Sequence, residues 1–252
     1  MTRKIALITG ASRGLGKSTA LHLAAQGIDI IGTYYSKAEE AQAVVAQIEQ
    51  LGGRAAMLQL DVSKSATFDG FVGEVGRTLK EVFAQEQFDF LINNAGIGTH
   101  ASFVETTEEQ FDQMVAIHLK GPFFLTQKLL ARIVDGGRII NISSGLARFS
   151  LPGYAAYASM KGAVEVLTRY QAKELGARGI SVNTLAPGAI ETDFGGGAVR
   201  DNAGINAFVA SNTALGRVGL PDDIGGAIST LLADGSKWIN GQRIEASGGM
   251  FV

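Results

Sequence analysis

The chain predicts a doubly wound α/β fold, a parallel sheet with helices on both faces. Three observations carry this: short apolar runs alternate with amphipathic stretches, several runs are apolar on successive residues, and a glycine-rich turn follows the first run. Alternating strand and helix signals mark repeated crossover units. A strand covered on both faces has no polar side to present, so its apolar run is continuous.

Taken in order, KIALIT is the first strand, and IDIIGTYY, AAMLQLD, FDFLINN, GRIINISS, ISVNTLA and GQRIEA follow as six more. The segments between them are long enough for right-handed crossovers. This gives a seven-stranded parallel sheet in which ligands bind beyond the carboxyl ends of the strands. Residues 1–252 read as a single domain: the longest low-complexity feature is GGG at 195–197, and no linker interrupts the chain. The segment from Ser63 to Gln87 is long enough to extend the third helix along the surface.

Composition narrows the function. With 46% hydrophobic and 18% charged residues and a formal net charge of -2, the chain gives no electrostatic reason to expect a nucleic-acid partner. No apolar run is long enough to span a bilayer, and MTRKIALITG enters a strand without a signal-peptide core, so a cytoplasmic location is expected. The absence of cysteine excludes thiol catalysis and thiolate-bound zinc, and three scattered histidines predict no metal site. Small-molecule chemistry remains.

The first turn reads TGASRGLGKS. Gly10, Gly14 and Gly16 let the backbone turn tightly and bring a phosphate to a helix N-terminus, where free N–H groups and the helix dipole favour an anion. Gly16-Lys17-Ser18 also resembles the end of a P-loop, with Ala11 in place of its first glycine, and MLQLD could then supply a Walker-B aspartate. This NTPase reading would make Lys17 a phosphate ligand and Ser18 a magnesium ligand, but it leaves the other glycines unexplained. After the second strand, Tyr34 and Tyr35 stand where a dinucleotide site carries an acid for the ribose hydroxyl. With no carboxylate there and Arg13, Ser36 and Lys37 nearby, NADP(H) is preferred over NAD(H).

Farther along, Tyr154, Tyr157 and Lys161 share one helical stripe. Reducing a ketone needs a hydride and a proton, and a tyrosine hydroxyl can supply the proton. A lysine one turn away stabilises the phenolate, which singles out Tyr157 and leaves Tyr154 structural or pocket-lining.

TGASRGLG (9–16), LDV (60–62), NNAG (93–96), ISS (142–144), YASMK (157–161) and APGAIET (186–192) together resemble the short-chain dehydrogenase/reductase family over essentially the whole chain, in its compact form like the 3-oxoacyl-thioester reductases. The resemblance implies one Rossmann domain, a nicotinamide cofactor, reversible carbonyl/alcohol interconversion and a homotetramer or homodimer. It implies cofactor contacts from Gly10, Ser12, Arg13, Gly14, Leu15, Gly16, Tyr34 and Ser36 in the first half. Asp61 and Val62 would flank the adenine, and Asn93, Ala95 and Gly96 would pack along the cofactor. Pro187, Gly188, Ile190 and Thr192 would hold the carboxamide. Asp61 as a helix cap and NNAG as a plain turn are the bland alternatives.

The same resemblance makes Ser144, thirteen residues before Tyr157, the ligand of the substrate oxygen, and gives Lys161 the nicotinamide ribose as a second partner. At its core His118 replaces the family's asparagine, which anchors a water in a proton relay. Either His118 holds that water or relays protons itself, or it only fills space. Residues 191–216 read as a mobile substrate lid with glycine hinges, its apolar residues joining His100, Phe103, Leu146, Arg148 and Phe149 around the pocket. Arg148 or Arg200 would meet an acidic substrate if either is free. Small residues on the helix from Tyr154 suit packing against a second subunit, which SGGMFV at the C-terminus would reach. A non-catalytic NADPH-binding sensor of the same fold is the alternative to a carbonyl reductase.

Overall fold

The computed structural model describes residues 3–252. Its elements run β1 (Ile5–Ile8), α1 (Gly14–Ala25), β2 (Asp29–Tyr34), α2 (Ala38–Gln50), β3 (Ala55–Gln59), α3 (Phe68–Phe83), β4 (Phe88–Asn93), α4 (Glu108–Val115) and α5 (Gly121–Leu129). Then follow β5 (Ile133–Ile142), α6 (Ala155–Leu175), β6 (Ser181–Pro187), α7 (Ala198–Asp201), α8 (Ala203–Ser211), α9 (Pro221–Leu231) and β7 (Arg243–Ala246). Every strand pair is parallel, in the order β3-β2-β1-β4-β5-β6-β7. The chain reverses its direction of progress across the sheet between β1 and β4, which opens the ligand crevice at the tips of those strands.

Strand alternation splits the core. Ile5 and Leu7 of β1 face α3, α5 and α6, whereas Ala6 and Ile8 face α1, α2 and α9. All four are fully buried. Each large aliphatic side chain so buried contributes about 1.5–3 kcal/mol relative to exposure. α3 lies on the surface with one face inward: Phe68, Phe71, Val75, Leu79 and Phe83 follow helical spacing and bury along its whole length, while Asp69, Arg77 and Lys80 face solvent. β5 starts four residues before GRIINISS, and its register against β4 shifts between Phe88 and Phe90, next to Gly136 at φ +77°. Sequence reading missed that start because Asp135-Gly136-Gly137 looks like a turn.

A polar network fixes α6 on the sheet. Asn93 Nδ2 donates to Asn141 Oδ1 at 2.8 Å, and Asn141 Nδ2 donates to Thr168 Oγ1 and Gln171 Oε1, each at 2.9 Å. Thr184 Oγ1 donates to Thr168 Oγ1 at 2.8 Å. Buried donors paired in this way hold one geometry, because any displacement leaves a donor unpaired. That geometry sets where Tyr157 and Lys161 emerge from α6.

Candidate active site

At the first turn Gly10 and Gly14 have φ of +69° and +54°, the left-handed region that glycine tolerates. A Cβ on Gly16 would lie 2.1 Å from the Gly10 carbonyl oxygen, so the turn closes only with glycine there. α1 has no acidic residue in its first turn and no side-chain cap at Arg13, so its leading N–H groups are left to meet an anion. The residues present thus fit a pyrophosphate. Thr192 arches over from the β6 exit: its methyl carbon would stand 3.6 Å from a Cβ on Gly14. Ser12 and Arg13 lie in this turn, Tyr34 ends β2 with Ser36 on the loop after it, and Leu15 packs inward against the α1 core.

Several expectations change. The Asn93 side chain turns into the α6 network instead of the crevice, since alternation along β4 points it to the core. Asn94 takes the crevice position, donating from Nδ2 to the carbonyls of Thr9 (2.8 Å) and Gly10 (3.1 Å). Thr9 Oγ1 accepts from the N–H groups of Asn94 and Ala95, each at 2.9 Å. Thr9 and Asn94 therefore brace the turn, and strand parity was the signal that could have found them. Asp61 Oδ1 accepts from Ser63 N (3.0 Å) and Oγ (2.6 Å), so its carboxylate caps the following turn. Val62 meets α5 through its carbonyl, which a Cβ on Gly121 would approach to 2.6 Å. Ser18 Oγ donates to Asp222 Oδ1 of α9 at 2.7 Å, facing away from the turn, which removes the magnesium ligand of the P-loop reading.

Ser144, Tyr157 and Lys161 converge at the tip of β5. Ser144 lies just beyond the strand, and its Oγ accepts from Leu146 N at 3.2 Å. Tyr157 is 7% exposed and Lys161 5%. Burial raises the Tyr157 hydroxyl above its ordinary pKa, against a hydrogen bond from Ser144 that lowers it. Burial also pushes the Lys161 ammonium down to about 7. Its Nζ donates to the Ile142 carbonyl at 2.8 Å and lies 5.4 Å from the Tyr157 ring centroid. The ammonium thus stands over the ring face, whereas the one-turn spacing suggested direct pairing with the hydroxyl. Arg243 reinforces the strand tip, binding Glu165 Oε1 (2.7 Å) and the Ser144 carbonyl (3.3 Å), while Ser143 Oγ donates to the same Glu165 oxygen at 2.7 Å.

His118 lies in a π-helical turn, Ala116–Lys120, joining α4 to α5. Such a turn inserts an extra residue and re-aims the side chains around it. The imidazole is 1% exposed and meets the Tyr157 ring edge-on, centroids 5.1 Å apart. Nε2–H donates to the Ile97 carbonyl at 2.8 Å, which leaves Nδ1 as a bare acceptor. Gly96 makes room for the ring: a Cβ there would stand 2.7 Å from Cε1. Burial, with the nearby Lys161 charge, lowers the imidazole to about 3, against the pull of the Ile97 carbonyl.

β6 delivers the remaining crevice residues. Pro187 ends the strand, Gly188 N donates to the Ala246 carbonyl at 3.1 Å, and Ile190 bridges to Gly219. Beyond Thr192 the chain forms α7 and α8, and residues 212–215 hydrogen-bond to residues 248–251. The C-terminal residues therefore pack on the segment after α8, and the Phe251 ring centroid lies 4.8 Å from that of Phe149. Arg148 is held by both Glu245 oxygens and by the Met250 and Phe251 carbonyls. Arg200 is held by Asp193 and Asp201. Neither is free for an acidic substrate. An apolar cavity of about 270 Å³ opens beside the triad, between Ser102, Phe103, Leu146, Leu151, Pro152 and Tyr154.

A family model described as enoyl-(acyl carrier protein) reductase matches residues 10–251. The chain is 36% identical to the hydroxynaphthalene reductase-like protein Arp2 of Metarhizium brunneum, covering 98% of this chain and 94% of that protein. Among solved structures, the promiscuous reductase LugOII, which catalyses keto-reduction at C1 in lugdunomycin biosynthesis, superposes with a TM-score of 0.94 at 39% identity, covering 100% of this chain and 99% of that one. The angucycline C-6 ketoreductase LanV with bound NADP gives a TM-score of 0.93 at 36% identity, covering 98% of this chain and 95% of that one. No helix among the described residues is long and apolar enough to cross a membrane. Sheet order, first-turn geometry and the matched length agree: the chain belongs to the short-chain dehydrogenase/reductase family of oxidoreductases.

Proposed function

We propose that the protein is an NADPH-dependent ketone reductase, with Tyr157 as proton donor, Ser144 as ligand of the substrate oxygen and Lys161 as the charge that tunes the tyrosine. The observation that carries the reading is the convergence of these three side chains beside the crevice above β1 and β4. The preference for NADP(H) rests on the absence of a carboxylate after β2 and on the bound NADP of the LanV structure.

Held at the Gly10–Gly16 turn, NADPH would supply the hydride for the carbonyl carbon. As negative charge develops on the oxygen, Ser144 Oγ–H stabilises it and Tyr157 gives up its proton to complete the alcohol. A tyrosine whose pKa is raised by burial holds that proton at neutral pH, so the site suits reduction. Lys161, its ammonium pushed down by burial, favours the phenolate left behind when protonated and can reach the nicotinamide ribose. His118 acts as a neutral spacer that fixes the Tyr157 ring: its donor is tied to Ile97, and its low pKa leaves it uncharged. The relatives named as a hydroxynaphthalene reductase-like protein and as ketoreductases favour this over the sensor alternative, as does the intact triad.

Residues 191–216 are the substrate lid of this reading. A cytoplasmic location and a homotetramer, or a homodimer, belong to it as well. Phe111, Phe123, Phe124, Val166 and Tyr170 on α4, α5 and α6 are between 37% and 65% exposed, apolar surface of the kind a second subunit covers; a monomer by light scattering would remove that part. Tyr157→Phe tests the core of the proposal. Its kcat should fall at least about a hundredfold, as expected on losing a general acid, with NADPH affinity intact and Tyr154→Phe largely active. Normal turnover by Tyr157→Phe would refute it.

A further inference from the structure

The last strand carries charges on a face where apolar side chains are expected. Along β7, RIEA at 243–246, alternation sends Ile244 and Ala246 to the core beside α1 and α9 and leaves Arg243 and Glu245 on the α6 side of the sheet. There Arg243 meets Glu165 of α6, and the side chains of all three are mostly shielded from solvent. An ion pair so shielded is a weak source of stability compared with well-packed apolar residues of the same volume. What it adds is direction.

Each arm of the Arg243 fork has a different acceptor. Nε donates to Glu165 Oε1 at 2.7 Å, Nη1 to Glu245 Oε2 at 2.8 Å and Nη2 to the Ser144 carbonyl at 3.3 Å. That carbonyl also accepts from Ala147 N at 3.1 Å, so the peptide plane after Ser144 is fixed from two sides. The residue before it is fixed as well. Ser143 N donates to the Leu185 carbonyl at 2.8 Å, and Ser143 Oγ–H is shared between Glu165 Oε1 (2.7 Å) and the Lys161 carbonyl (3.3 Å). Glu165 lies one turn beyond Lys161, so these bonds staple the tip of β5 to the helix that carries Tyr157 and Lys161. Ser144 itself is extended, with φ of -159° and ψ of 151°, and its Oγ accepts from Leu146 N at 3.2 Å. Its own O–H is left to point toward Tyr157 and the incoming carbonyl oxygen, in a direction set by the backbone on either side.

We propose that Arg243 and Glu165 are positioning residues of the reaction, which aim the Ser144 hydroxyl at the carbonyl oxygen that Tyr157 protonates. This rests on the reductase reading and deepens it. In this role Arg243 acts through the Ser144 backbone and not on the substrate. Lysine is no substitute, because a single nitrogen cannot span Glu165, Glu245 and the Ser144 carbonyl as the planar fork does. A hydrogen-bond donor displaced by about 1 Å loses much of its hold on the transition state, which is where the developing oxyanion needs it.

A double-mutant cycle in kcat tests this, with full-length enzyme, saturating NADPH and whichever of 1-tetralone, cyclohexanone, diacetyl and ethyl acetoacetate is reduced fastest. Arg243→Lys keeps the charge, and its kcat should fall about tenfold while KM for NADPH stays within about twofold. Ser144→Ala should lose about a hundredfold. Added to Ser144→Ala, Arg243→Lys should then change kcat by less than about twofold, since the group being aimed is already gone. Glu165→Gln, which keeps an acceptor for Ser143, supplies a second cycle: about threefold loss against wild type and none against Ser144→Ala. A further tenfold loss in the Ser144→Ala background would make Arg243 a general prop of the fold and overturn the proposal. An unchanged kcat in Arg243→Lys alone would overturn it too. Wild-type enzyme that reduces none of these ketones with NADPH would instead refute the reductase reading on which the proposal rests.

Discussion

Replacing His118 with asparagine separates a proton-relaying histidine from a spacer. Burial holds the His118 imidazole far below its ordinary pKa, at about 3, so it stays neutral at pH 7. Its only N–H is engaged by the Ile97 carbonyl at 2.8 Å, so a relay through the ring would have to break a buried hydrogen bond at each turnover. The spacer reading therefore expects the pH profile of kcat/KM between about pH 5.5 and 9 to keep its shape in His118→Asn, with each limb displaced by less than about 0.3 units. The rate should stay within about fivefold, because an asparagine amide can still donate toward Ile97. Stability should fall, since the substitution removes a ring that packs edge-on against Tyr157. An aromatic pair contributes about 0.5–1.5 kcal/mol beyond its area, so a loss of about 1–2 kcal/mol, or a few degrees in Tm, is expected. Steady-state ketone reduction across the pH range, with thermal melts of both proteins, makes the comparison. A limb between pH 5 and 8 that disappears in His118→Asn would show a titrating histidine and refute the reasoning.

Two further outcomes follow from charges. Arg13 lies 3.8 Å from Asp193 and is half-exposed beside the first turn, where a 2′-phosphate would find it. Arg13→Ala should weaken NADPH binding about tenfold, the worth of one partly solvated charge-assisted hydrogen bond, and leave NADH binding within about twofold; fluorescence titration with both cofactors decides, and equal losses would place the phosphate elsewhere. Burial alone would raise Glu245, but hydrogen bonds from Arg148, Arg243 and Ser247 outweigh it and hold the carboxyl at about 2. A depressed acid stabilises the fold fully above its unfolded pKa near 4.5, and that contribution is lost as pH falls toward 2. Glu245→Gln should therefore be less stable than wild type at pH 7 and lose less on acidification from about pH 4.5 to 2, read from urea midpoints. Parallel decline of the two proteins would remove Glu245 from the account.

Much of the site is local, which is why it could be read from the chain. Gly10, Gly14 and Gly16 are demanded by one turn, and the Tyr157–Lys161 interval by one helix, so their spacing carries the chemistry unaided. What the chain alone leaves open lies where two elements meet. Asn93 and Asn94 are neighbours with the same side chain, and only the parity of β4 in the folded sheet sends one to the α6 network and the other to the first turn. Asp61 is an adenine ligand by resemblance alone, and the fold adds that its Oδ1 also accepts from Ser63. Ser18 completes a P-loop on paper, but α9 brings Asp222 to its hydroxyl from about 200 residues away.

By itself the sequence determined the alternation of strands and helices, the glycine turn and the order in which Ser144, Tyr157 and Lys161 appear, because periodicity and backbone conformation are local properties of the chain. Only the tertiary structure decided that Lys161 stands over the face of Tyr157, that His118 is buried edge-on against the same ring, and that Phe194 packs beside it. Those facts depend on distance and burial among residues far apart in the chain: the dielectric around a buried group, and the space a glycine leaves, exist only once β4, α6 and the lid have packed together.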